Sequence, residues 1–80
     1  MENEKIILSE FYVDVRSKVA DMKIKDIDLP SEAIIAYIIR DDEMVICAKS
    51  DCELKVSDKV IVLSRSKDFA KITSLFYWGK

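Results

Sequence analysis

The residues able to do chemistry are few, and most crowd around one turn. Arg40 closes an apolar run that begins at Ala33, and Asp41, Asp42 and Glu43 follow it directly. A guanidinium at a strand end can grip two phosphate oxygens with its planar fork. The plainer assignment is an arginine paired with one of the three acids beside it. Adjacent carboxylates can also collect a divalent cation. Without a glycine bend or further ligands, such a run ordinarily forms a solvated turn, and no metal site is expected. Cys47 and Cys52 are the only cysteines and histidine is absent, so zinc would need both thiolates plus carboxylates. Two reduced thiols, with Cys47 buried in a strand, are the expectation. No nucleophile has an evident general base, so no catalytic residue is assigned and the chain is not expected to be an enzyme.

The elements that must position these groups follow from periodicity. Ala33 to Ile39 is seven apolar residues rich in β-branched isoleucine, which suits a buried strand better than a helix. The three acids make the turn, because short carboxylates bond back to the turn backbone. Met44 to Ala48 returns as the partner strand. Upstream, Ile6 to Leu8 is apolar, and Phe11, Val13 and Val15 alternate with Tyr12, Asp14 and Arg16, the period of a half-buried strand. Ser17 is expected to cap the next segment, and a short helix is expected near residues 22–28, ended by Pro30. Downstream, Leu54 anchors a connection, Val56 to Lys59 turns, and Val60 to Leu63 forms a strand. Ser66 is expected to N-cap a last helix whose apolar stripe runs through Phe69, Ile72 and Phe76, widened by Leu75 and Trp78 and stopped at Gly79. Tyr77 and Trp78 suit either an interface anchor or the core side of that helix. The fold class is α+β, in the order β-α-β-β-β-α around an antiparallel central sheet.

Eighty residues make one domain, with its core spanning about residues 11–78. A chain of this length buries roughly 60–65% of its unfolded surface, a thin margin. Half the residues are hydrophobic, and 13 basic and 15 acidic residues leave a net charge of −2. That balance argues for a packed globule and against nucleic-acid binding. No segment approaches the ~20 apolar residues of a membrane span, and the N-terminus lacks the shape of a signal peptide. A soluble, cytoplasmic protein without direct membrane insertion is expected. The central strands are apolar on both sides: Ile34, Ala36 and Ile38 are expected on one face, Ile35, Tyr37 and Ile39 on the other. Two short helices cover about one sheet face, so a second copy of the chain is expected on the other, giving a homodimer. Helices on opposite faces of a monomer are the alternative.

Taken together, these segments resemble the TrkA C-terminal domain, the C-lobe of RCK domains (regulators of potassium conductance). Ser17, Ile24, Ile27, Leu29 and Pro30 match the family's first conserved segment. Ile35, Ile38, Arg40 and Ile46 match the second, and Leu54, Asp58, Val60 and Val62 the third. The order and spacing of all three carry the resemblance, from about Phe11 to Phe76. Asp21, Asp42 and Ser57 stand where the family usually has glycine, and Cys47 stands near its usual proline. Aspartate tolerates the left-handed region, and Ser57-Asp58 is expected to make a type I turn, which needs no positive φ.

The resemblance implies a cytoplasmic ligand-sensing domain of a potassium or other cation channel or transporter system. Such domains pair into dimers, and in several branches cyclic di-AMP binds in the dimer cleft. It further implies a ligand site at Ile34, Ile35, Arg40 and Ile46, with no resident cofactor and with an ion channel or transporter subunit as partner. The alternative is a ligand-free dimerisation module of a transporter assembly. The family's nucleotide-binding Rossmann lobe is missing here, so the chain is either free-standing or a piece of a longer protein.

Overall fold

The computed structural model describes residues 5–45 and 51–77. Four antiparallel strands form one sheet: β1 (Ile6–Tyr12), β2 (Ile34–Arg40), β3 (Glu43–Val45) and β4 (Lys59–Arg65). Their spatial order is β1-β4-β2-β3, so β1 and β3 are the edges. One helix, α1 (Phe69–Tyr77), follows β4 after a 3-10 turn over Ser66–Asp68. The hairpin expected across the acidic residues is present, with Arg40 opposite Glu43. Its loop is shorter than expected, Asp41-Asp42 alone, and both residues have positive φ, at 54° and 63°. Paired positive φ in a two-residue loop is the twist that joins right-handed strands closely.

One sheet face is closed. Phe11, Ile38, Val60 and Val62 point into it and meet Ile72 and Phe76 of α1, all essentially inaccessible to water. Phe11 stacks on Phe76, centroids 4.7 Å apart and rings 13° from parallel. The long connection from Val13 to Ala33 folds over the same face and adds Val19 and Ile27, and the segment after β3 adds Leu54. This connection contains no α-helix. The helix expected near 22–28 is a single 3-10 turn, Ile24–Asp26. Met22, Ile24 and Ile27 of this stretch serve a flat lid over the core, and Pro30 leaves no room for more turns.

Several local expectations are corrected by the packing. Val15 lies in a turn and is exposed, because β1 ends at Tyr12. Ser17 caps the other end of the molecule: its hydroxyl donates to the Phe76 carbonyl and accepts from the Asp14 N–H. Lys18 N–H donates to the Leu75 carbonyl. The loop after β1 thus satisfies carbonyls that α1 leaves open at its C-terminus. Ser66 does not cap α1; its hydroxyl accepts from Lys5 N–H. Ser57 has φ 80°, so its turn, closed by Asp58 N–H to the Lys55 carbonyl, has the positive third position of a type II turn and not type I. Cys52 is disulfide-bonded, against the expectation of a reduced thiol there. Cys47, Trp78 and Gly79 lie outside the described residues.

The largest correction concerns β2. Its register with β4 slips between Ile35 and Tyr37, so Ala36 is the extra residue of a β-bulge. Strict alternation from Ile34 therefore fails beyond this point. Ile34, Tyr37 and Ile39 share the open face and Ile35 and Ile38 the closed one, as their partners in β4 require, and Arg40, two residues beyond Ile38, falls on the closed face as well.

Candidate functional site

Two places in the fold compete for attention, one polar and one apolar. The polar one is the end of the sheet where β2 finishes. Arg40 Nε donates to Asp58 Oδ1 and Nη2 to Asp58 Oδ2, both at 2.8 Å, and Nη2 also reaches the Glu53 carbonyl at 3.0 Å. Asp58 is buried and additionally accepts the Lys55 N–H at 2.7 Å. Burial alone would raise the Asp58 carboxyl pKa. The Arg40 fork, the Lys55 N–H and both positive charges outweigh it and hold that pKa below the usual carboxylate range. Arg40 is correspondingly raised, first by its hydrogen bond to Asp58, against the opposing effect of its own desolvation.

The arginine thus has an ion-pair partner, but not one of the neighbouring acids. Asp41 and Asp42 are turned outward in the hairpin loop, and the fork goes instead to a residue 18 positions away. In the sequence Asp58 stands out as a turn residue and a match to a family position, not as the partner of Arg40. The sole local signal of that pairing was a carboxylate two residues before the apolar run Val60 to Leu63, where an unpaired charge would be costly. Among the described residues no group of acids and cysteines is placed to hold a metal.

The apolar place is the open sheet face. Leu8 of β1, Leu63 of β4 and Ile34 of β2 stand side by side in one cross-strand row. They are 64%, 37% and 58% exposed. Ile6, Tyr12 and Met44 extend the patch, each more than half exposed. Ile61 is buried even on this side, flanked by Glu10 and Tyr37 in the adjoining strands. Among the described residues no helix or loop lies over the row.

The four residues singled out as ligand-binding are not gathered within one chain. Ile34 begins β2 on the open face. Ile35 is half-buried on the closed face, packed against the core. Arg40 ends the same strand on the closed face, six residues beyond Ile34 and therefore roughly 20 Å along it. Ile46 lies outside the described residues.

An open antiparallel sheet with one covered face, a bulged central strand and a C-terminal helix defines a small α+β domain. The TrkA-C domain family matches residues 8–77, and the chain belongs to that family. TrkA-C domains are regulatory domains of potassium-transport systems. A solved structure described as "Structure of RCK domain with cda" superposes with a TM-score of 0.72 at 18% sequence identity. The match covers 86% of this chain and 96% of that one. At that identity the likeness is one of fold. No curated protein sequence matches the chain. Among the described residues no helix is long and apolar enough to cross a membrane.

Proposed function

We propose that the chain is a ligand-sensing regulatory domain of a potassium or other cation transport system, acting as a homodimer. The observation that carries this reading is the uncovered row of Leu8, Leu63 and Ile34 on a domain whose other face is fully packed. Apolar area of this kind is stabilised by roughly 25 cal/mol for each Å² removed from water, and a second chain is the symmetric way to remove it. In the dimer a small anionic ligand, such as a cyclic dinucleotide, occupies a cleft at the two-fold axis. Antiparallel placement of the two β2 strands brings the Arg40 end of one near the Ile34 end of the other. Ile34, on the open face, then offers apolar cover for a base, with Ile35 supporting the strand from the core side. Arg40 Nη1, which has no partner among the described residues, is left for a phosphate oxygen.

One observation favours a second reading, a ligand-free dimerisation module. The bidentate edge of Arg40 is already filled by Asp58, so a phosphate cannot be gripped by the fork without breaking that pair. Isothermal titration of the chain against a panel of cyclic dinucleotides separates the two. Binding at two-fold stoichiometry, weakened at least about tenfold in Ile34→Glu, supports the ligand-sensing domain. A panel that gives no heat leaves the dimerisation module as the function.

A further inference from the structure

The outer edge of β1 offers a second surface, separate from the open face and independent of any ligand. The pairing of β1 with β4 fixes which backbone groups are used. Ser66 N–H donates to the Lys5 carbonyl and Val13 N–H to the Asp58 carbonyl, so odd-numbered residues bond inward. The N–H and C=O groups of Ile6, Leu8 and Glu10 therefore point away from the sheet. Among the described residues no strand lies on that side. The free row is closed at one end, where Tyr12 N–H donates to the Tyr77 hydroxyl at 3.2 Å. Beside that point α1 forms the wall of a groove of about 380 Å³ lined by Phe69, Ala70, Thr73, Ser74 and Tyr77. Thr73 Oγ1 is buried there without a hydrogen-bond partner among the described residues.

We propose that this edge and groove receive an extended segment of a partner protein, added to the sheet as a fifth strand. Its alternate apolar side chains lie along Phe69, Thr73 and Tyr77. A lysine or arginine stands opposite Glu10, whose exposed carboxylate has, among the described residues, only a 3.8 Å contact with Lys59. Main-chain hydrogen bonds supply the affinity and the groove supplies selectivity, as in other strand-addition complexes.

A second copy of this chain fits the edge poorly. The rings of Phe69, Phe76 and Tyr77 all surround Phe11, at 5.9, 4.7 and 5.8 Å, so α1 lies over β1 itself. Two β1 strands paired about a two-fold would be about 4.8 Å apart and would carry both helices on the same side. Packed helices need about 8–10 Å between axes. A bare strand brings no helix and meets no such clash.

The test uses the full chain and a synthetic eight-residue peptide alternating valine with lysine. With saturating peptide, the Leu8 and Glu10 amides are expected to exchange with solvent at least about tenfold more slowly. The Ile7 and Ser9 amides, already bonded to β4, should not change. Glu10→Pro removes an outward donor at a position where proline is tolerated, and Ala70→Trp fills the groove from an exposed helix position. Each should weaken peptide binding at least about tenfold. Ala70→Trp keeps the test decisive if Glu10→Pro fails to fold. Absence of binding, protection at β3 in place of β1, or binding indifferent to both substitutions would overturn the proposal. So would slow Leu8 and Glu10 exchange without peptide that is lost on dilution, since that outcome assigns the edge to a second copy.

Discussion

The two faces of the sheet solve opposite problems. On the closed face, at the end of β2, an arginine and a buried carboxylate satisfy each other with two parallel hydrogen bonds. A third and a fourth come from the Glu53 carbonyl and the Lys55 N–H. On the open face, the row of Leu8, Leu63 and Ile34 has no helix or loop over it among the described residues. The residue type that looked most chemical is thus the one most occupied with holding the fold. The residues that looked like ordinary core are the ones left for a partner. In an 80-residue chain this division matters, because every buried charge must be neutralised internally while apolar area can be shared between chains.

The largest expected effect tests the closed end. Arg40→Ala leaves the Asp58 carboxylate buried without its partner and should cost about 3–5 kcal/mol, read as a lowered urea midpoint. Replacing both residues by leucine should recover much of the loss. An unchanged midpoint in Arg40→Ala would show that the pair does not hold this end together. On the open face, Leu63→Glu inserts a charge into the apolar row. It should weaken dimerisation at least about 100-fold by sedimentation, yet move the unfolding midpoint of the monomer little. If Leu63→Glu unfolds the chain instead, the row belongs to the core and the contrast between the faces disappears.

Acid sharpens the same contrast. Asp58 has its folded pKa below its unfolded value. Its stabilising contribution is therefore complete above the unfolded value of about 3.9 and is lost as pH falls through the folded one. Thermal midpoints should hold steady from neutral pH to about pH 5 and drop below about pH 4, more shallowly in Asp58→Asn. A midpoint that falls equally in both would assign the acid transition to other carboxylates. The smallest effect is expected at Ser57, whose φ of 80° suits glycine. Ser57→Gly should stabilise by roughly 0.5–1 kcal/mol, raising the thermal midpoint by a few degrees. A lowered midpoint would mean that the serine side chain contributes more than its backbone strain costs.

The hairpin, the succession of strands along the chain and the helix stripe of Ile72 and Phe76 were legible in the sequence, because each rests on local period and turn chemistry. The need for cover on one sheet face was legible too, from strands apolar on both sides. Three of the corrected features show why others were not. The bulge at Ala36 leaves no local mark, since every residue from Ala33 to Ile39 is apolar and either phase reads the same. The pairing of Arg40 with Asp58 is a tertiary contact across 18 residues, and three nearer acids were equally good partners on paper. The position of Ser17 suits a cap on the segment after it, yet its hydroxyl bonds a carbonyl 59 residues away. All three depend on which surfaces meet.

The slipped register in β2 has a consequence for how the strand divides its labour. A regular strand keeps one phase, so residues 34 and 40 would show the same side of the sheet. The single surplus residue shifts the phase by half a period, and one strand presents an isoleucine outward at its start and an arginine inward at its finish. Deleting Ala36 would restore the rhythm but force a choice. Either Ile34 turns into the core, or Arg40 swings out and abandons Asp58. The extra alanine lets one seven-residue ribbon keep both the adhesive side and the locked side of the domain.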